Sequence, residues 1–297
     1  MGGYPERAVV EQVTADATLR QAYLDLLKRM LTRTGFEEPY RLAPRVWHAS
    51  GRGRALTAIQ AVLEPRGYRL VKRIDDPRRS DGSWPVNAET MIGMARLDNL
   101  QWCLETAIAD GVPGDVIETG VWRGGACILA RGVLRAHNTA DRRVWVADSF
   151  QGLPPPDPQY NADVGAEFHL DPQLAVSLED VRENFARYGL LDDQVGFLEG
   201  WFKNTLPSAP IERLAVARLD GDMYESTMDA LTALYPKVSA GGFLIVDDYE
   251  ITACRRAVAD YRDANQIGDP IERVDDCAVF WRKGSPDVQG ADPYQDD

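Results

Sequence analysis

From residue 115 onward short apolar runs alternate with amphipathic stretches of helix length, and this alternation constrains the fold more than any other feature of the chain. The runs are 115–120, 143–148, 195–199, 214–220 and 242–248, and helix candidates lie at 126–135, 178–188, 227–235 and 252–265. A strand that returns through a helix to a second strand runs parallel to it, so the repeat predicts a mostly parallel sheet with helices packed on it. Residues 271–274 and 277–282 flank a turn at Asp275-Asp276 and predict a terminal antiparallel hairpin. The expected class is α/β, with seven strands.

Four of the five runs close on an acidic residue, and the first carries Glu118 just before a glycine turn. Ligands of open α/β sheets bind at the carboxyl ends of the strands, so these acids are expected on one rim. Glu118-Thr-Gly-Val-Trp-Arg-Gly-Gly125 joins a predicted strand to a predicted helix. Its glycines let a ligand approach the backbone, and its spacing is not the G-x-G-x-x-G of a dinucleotide site. An acid before one early glycine suits a nucleoside with a cationic amino-acid tail; a plain structural turn is the competing reading. Asp148 ends the next run, where a carboxylate can accept both hydroxyl protons of a ribose or cap a helix. Asp220, Asp247 and Asp248 end two further runs. They would repel one another without a positive charge between them, and an oxygen-only set selects a hard cation, Mg²⁺ or Ca²⁺. Solvated loop acids are the alternative. Asp222 is read as a cap of the following helix.

Composition narrows the class. With 33 Lys and Arg against 46 Asp and Glu the net charge is −13, which excludes a generic nucleic-acid binder. The four cysteines form no C-x-x-C pair, so neither zinc nor a disulfide framework is expected. No apolar stretch long enough to span a membrane and no signal pattern occurs, and a cytoplasmic location is expected. Residues 1–88 read as an N-terminal cap, lid and oligomerisation region, with a helix over 19–32 and a loop-prone, Arg-rich stretch over 41–79. A helix over 91–109 leads into the main domain, 89–284, and residues 285–297 read as a disordered tail.

Seven ordered motifs then carry a resemblance. Met91-Ile-Gly-Met-Ala-Arg-Leu-Asp-Asn99, the Glu118–Gly125 loop, Asp148-Ser-Phe-Gln-Gly-Leu-Pro154, Val181-Arg-Glu-Asn-Phe185, Gly200-Trp-Phe-Lys-Asn-Thr-Leu-Pro207, the 220–227 run and Asp247-Asp-Tyr249 resemble the macrocin O-methyltransferase (TylF-type) family. The resemblance covers about residues 89–282 and implies a Rossmann-like class I methyltransferase sheet. It implies S-adenosylmethionine and Mg²⁺ as cofactors and methylation of a sugar hydroxyl on a glycosylated antibiotic. Asn204 stands where the family's motif has an acid.

The resemblance also implies a role for each matching position. Thr90 and Met91 lie against the cofactor, Glu118, Thr119, Gly120, Val121 and Trp122 hold its methionine end, and Asp148 binds the ribose beside Ser149, Phe150, Gln151 and Gly152. Gly200 and Trp201 border the adenine, with Ser177 as a further contact. Asp220, Asp247 and Asp248 match the metal ligands, and Asp220 is the expected general base. Residues 41–90 are expected to close over the site. The partner is a glycosylated small molecule, with no nucleic acid or membrane, in a homodimer or homotetramer. A metal-dependent catechol or phenol O-methyltransferase is the alternative enzyme, and a nucleoside-binding protein without turnover is the alternative outside enzymes.

Overall fold

A computed structural model describes residues 5–36, 40–42, 51–73 and 84–284. In chain order its helices and strands are α1 (Pro5–Leu31), β1 (Tyr40–Leu42), α2 (Gly51–Leu63), β2 (Val71–Arg73), α3 (Met94–Ala109), β3 (Asp115–Thr119), α4 (Gly125–Ala136) and β4 (Val144–Asp148). There follow α5 (Leu178–Arg187), β5 (Val195–Glu199), α6 (Phe202–Thr205), β6 (Leu214–Leu219), α7 (Tyr224–Leu234), β7 (Val238–Val246), α8 (Thr252–Ala264), β8 (Glu272–Arg273) and β9 (Val279–Arg282). The main sheet has seven strands in the order β5-β4-β3-β6-β7-β9-β8. β3 to β7 pair in parallel, and β9 is antiparallel to β7 and β8. This is the expected Rossmann-like class.

Strand residues alternate between two cores, as a period of two requires. Val116, Val144, Val146 and Val216 face one core with α1, α3 and α4, whereas Ile117, Trp145, Ala147 and Ala217 face the other with α7 and α8. The chain runs β3, β4, β5 in one direction and then crosses to place β6 on the other side of β3. The loops after β3 and β6 therefore meet at a topological switch point, where a crevice forms. They meet closely: Gly120 has φ +84°, and a Cβ there would stand 1.7 Å from the Asp220 carbonyl oxygen. Only glycine fits that position.

The described part of the N-terminal region carries more regular structure than its sequence suggests. α1 docks on α4 through Leu24, Leu27 and Leu31, which join the main core, and Gly132 of α4 leaves the room that Leu27 fills. Burying each such leucine stabilises by about 1.5–3 kcal/mol. The stretch expected as loop over 41–79 contains α2 and the antiparallel β1–β2 pair. Gly51 and Gly53 stand at the start of α2 and interrupt nothing, while the Ala-Leu-Thr-Ala-Ile-Gln-Ala-Val-Leu run that follows has good helix formers. The lid expected over 41–90 falls partly, and the tail over 285–297 wholly, outside the described residues. Cys103, Cys127 and Cys254 are buried and free, while Cys277 is only partly buried. Among the described residues no helix is long and apolar enough to cross a membrane.

Asp222 does not cap α7. The N-cap position is Met223, and the N–H groups of Tyr224 and Glu225 instead donate to Asp163, at 2.7 and 3.0 Å. Asp163 lies in the long loop after β4 and is buried, so sequence proximity gave no hint of it. Asp163→Ala is expected to lower stability by about 1–2 kcal/mol, measured by thermal or urea unfolding. An unchanged midpoint would contradict this capping role.

Candidate active site

A cavity of about 700 Å³ opens over the carboxyl ends of β4, β3, β6 and β7, within the usual range of small-molecule sites. The residues expected from sequence divide clearly around it. Thr90, Met91, Glu118, Gly120, Val121, Trp122, Asp148, Ser149, Gly152, Trp201, Asp220, Asp247 and Asp248 line it. Thr119, Phe150, Gln151, Ser177 and Gly200 do not. Thr119 is fully buried in β3, and Phe150 turns into the core with φ +56°. Gln151 is exposed, and its N–H donates to Ser149 Oγ. Ser177 is the N-cap of α5, accepting from Asp180 N at 3.1 Å. Gly200 forms the turn after β5, and its N–H donates to the Asp148 carbonyl.

Asp148 braces the glycine loop from the neighbouring strand. Its two carboxylate oxygens accept from Val121 N and Phe150 N, each at 2.8 Å. Burial raises its pKa, and these N–H donors oppose the rise. Each oxygen retains acceptor capacity toward the cavity, which a ribose hydroxyl can use. Trp122, with φ +49°, is held by its indole N–H on the Gln173 carbonyl at 2.8 Å and packs edge-on against Trp84.

Two arginines that the sequence reading passed over organise the acids. Arg218 on β6 is buried and pairs with Glu118 on β3, with Asp220 at 2.7 Å and with Asp247 at the end of β7. Its arm toward Asp247 is close enough for an ion pair but off the line of a hydrogen bond. Arg96 on α3 holds the other Asp247 oxygen at 2.6 Å and Asp275 of the hairpin turn at 2.8 Å. The signal in sequence was an arginine two residues before a strand-ending acid. Glu118 also accepts from the Cys127 thiol at 2.8 Å, and burial pushes it up to about 7 against the pull of Arg218.

The carboxylates that converge are Asp220, Asp222 and Asp248, with ligand oxygens all within 4.8 Å of one another. Asp222, at φ +58°, stands in this cluster, whereas both oxygens of Asp247 face Arg96 and Arg218. An oxygen-only cluster of this spacing fits a hard divalent cation. Burial, then Asp220 and Asp247, raise Asp222 to about 7; burial and neighbouring carboxylates also raise Asp220 and Asp248. A carboxylate raised on folding binds its proton more tightly folded than unfolded. Its contribution to stability is therefore complete at low pH and lost as pH rises toward about 7. The melting temperature of metal-free protein is expected to fall between about pH 5 and about pH 8, and Mg²⁺ to reduce that fall. A fall of the same size with and without Mg²⁺ would count against a cation at the cluster.

Residues 20–283 match the macrocin-O-methyltransferase (TylF) family. The chain is 52% identical over 294 residues to 8-demethyl-8-(2,3-dimethoxy-alpha-L-rhamnosyl)-tetracenomycin-C 4'-O-methyltransferase of Streptomyces olivaceus, covering 95% of this chain and 99% of that one. The chain belongs to the macrocin-O-methyltransferase family. Within that family it is also 48% identical over 269 residues to mycinamicin III 3''-O-methyltransferase of Micromonospora griseorubida, covering 89% of this chain and 97% of the relative. The solved structure of the O-methyltransferase NovP superposes with a TM-score of 0.76 at 46% identity, covering 90% of this chain and all of that one. The match extends the family's reach back into α1, well before the first motif seen in sequence.

Proposed function

We propose that this member of the macrocin-O-methyltransferase family transfers the methyl group of S-adenosylmethionine to a sugar hydroxyl of a glycosylated natural product, assisted by Mg²⁺. One observation carries the reading: a glycine loop braced by Asp148 and a convergent set of carboxylates open into the same cavity. The named relatives, a rhamnosyl-tetracenomycin C 4'-O-methyltransferase and a mycinamicin III 3''-O-methyltransferase, support the acceptor class.

Thr90, Met91, Glu118, Gly120, Val121 and Trp122 would hold the amino-acid end of the donor, Asp148, Ser149 and Gly152 its ribose, and Trp201 its base. Asp220, Asp222 and Asp248 would hold the cation, and Asp247 reaches it only by exchanging an arginine for it. Bound there, the cation supplies positive charge that makes a neighbouring sugar hydroxyl more acidic. The chain must still accept the proton and align the oxygen with the activated methyl group. Asp220 was the expected base, but Arg218 occupies its Oδ2. Asp222 has no ion-pair partner among the described residues and is the better acceptor of the proton. The same reading places the enzyme in the cytoplasm as a homodimer or homotetramer. Exposed Leu19, Leu26, Ile59, Val62 and Tyr68 in the cap support self-association.

Incubation with S-adenosylmethionine, Mg²⁺ and a panel of glycosylated antibiotics is expected to add one methylene mass to a glycoside and none to a catechol in parallel. Methylation of the catechol alone would favour the phenol-type alternative.

A further inference from the structure

A second cavity, of about 530 Å³, shares a wall with the first. Neighbouring residues turn to opposite sides of that wall: Thr90, Trp122 and Leu174 line the first cavity, and Glu89, Arg123 and Gln173 the second. The charged groups of the second cavity are Arg33, Arg69, Arg123 and Arg187 against Glu89 and Asp180, an excess of cations in a chain whose net charge is −13. Glu89 is already taken, by Arg33 at 2.7 Å and by the Tyr188 hydroxyl at 2.9 Å. Arg123 Nη1 donates to the Val86 and Ala88 carbonyls at 2.7 and 2.8 Å, and Arg187 Nη2 donates to Asn184 Oδ1. Arg69 is exposed at the rim and makes no hydrogen bond or ion pair among the described residues. Burial lowers the pKa of Arg123, and Arg69 and Arg187 add to that against the pull of Glu89 and Asp180. Three guanidiniums thus share one space, and a bound anion would relieve their repulsion.

We propose that this cavity binds a dianionic phosphoryl group, with Arg69, Arg187 and the uncommitted nitrogens of Arg123 as its donors. A planar guanidinium presents paired N–H donors that match two phosphate oxygens, and among the described residues no lysine lines the cavity. Four arginines less two carboxylates leave two positive charges. A phosphate ester matches them above its second pKa of about 6, whereas a carboxylate meets only one. The cavity is larger than one phosphoryl group, so free phosphate and a phosphate ester both fit. This site needs neither the methyl donor nor the cation, and it gives Arg69, from the Arg-rich stretch over 41–79, a role that methyl transfer does not.

The test is calorimetry on the full-length protein at about pH 7.5, in low salt and with EDTA so that no cation at the carboxylate cluster can hold the probe. The probes are inorganic phosphate and glucose 1-phosphate, with acetate and glucose as controls. Both phosphates are expected to bind saturably with a Kd of about 1 mM or tighter, acetate at least about tenfold more weakly and glucose not at all. Equal affinity for the two phosphates would support the site with free phosphate as a sufficient ligand, and tighter binding of the ester would support it with an organic group filling the remaining volume. Arg69→Ala and Arg187→Ala are each expected to weaken phosphate about tenfold or more, and Arg69→Lys about threefold, since lysine keeps the charge and loses the fork. Arg213→Ala removes an exposed arginine before β6 and should leave the affinity within about twofold. Matching melting curves check that the variants fold. The absence of saturable phosphate binding would overturn the proposal. So would an affinity unchanged in both Arg69→Ala and Arg187→Ala, or weakened as much by Arg213→Ala.

Discussion

Asp222→Asn is expected to lower kcat by about 10²- to 10⁴-fold, the usual range for removing a general base, while affinity for S-adenosylhomocysteine stays within about twofold. The substitution keeps shape and oxygen but removes the charge that accepts a proton. Excess Mg²⁺ should not restore the rate, since no added cation can replace a base. Asp220→Asn also removes ligand charge, but it frees Arg218 from one of its three carboxylates and should recover in part at high Mg²⁺. Below the pKa of Asp222, about 7 in the metal-free protein and lower once a cation neutralises its neighbours, the rate should fall with pH. If Asp220→Asn is the unrescued variant and Asp222→Asn recovers with metal, the base is Asp220.

Chelation is expected to abolish turnover. A sugar hydroxyl holds its proton far above neutral pH, and three neighbouring carboxylates without a cation are partly protonated and poor at orienting it. Mg²⁺ added back should restore the full rate and Zn²⁺ only a small part, as expected for an oxygen-only ligand set. Asp248→Asn should raise the Mg²⁺ concentration for half-maximal rate by about tenfold or more. Asp247→Asn is the informative contrast. If Asp247 serves only its arginines, the variant loses thermal stability, by about 3–5 kcal/mol for a broken buried pair, with little change in metal requirement. If it leaves them for the cation, the metal requirement rises with it. An EDTA-treated enzyme that works at full rate would remove the cation from the account.

Much of the sheet could be read from sequence because its signal is local. Buried parallel strands are short continuous apolar runs, and each of the five main runs lies within two residues of an observed strand or inside one. β7 begins earlier than the expected run, at Val238 rather than at Gly242. Gly241 has φ +81° and sits inside the strand, where β6 and β7 shift register. What was not legible depends on side chains meeting across the fold. Asp247 and Asp248 are neighbours in sequence with opposite fates, one taken by Arg96 and Arg218 and the other turned toward Asp220. No pattern along one chain separates them. Ser177 shows the converse: it was placed near the cofactor as well as read as a cap, and the structure shows the cap while Ser177 does not line the cavity.

If the donor pocket and the carboxylate cluster act together on a sugar oxygen, the methyl group must arrive on the sugar ring and only with the cation present. The most direct measurement is NMR of the product formed from S-adenosylmethionine carrying a ¹³C-labelled methyl group, Mg²⁺ and a methylated member of the glycoside panel. The predicted result is a labelled O-methyl resonance correlated through bonds to a carbon of the sugar ring, absent when EDTA is present. A label correlated to an aromatic carbon of the aglycone, or one that appears equally in EDTA, would contradict the account.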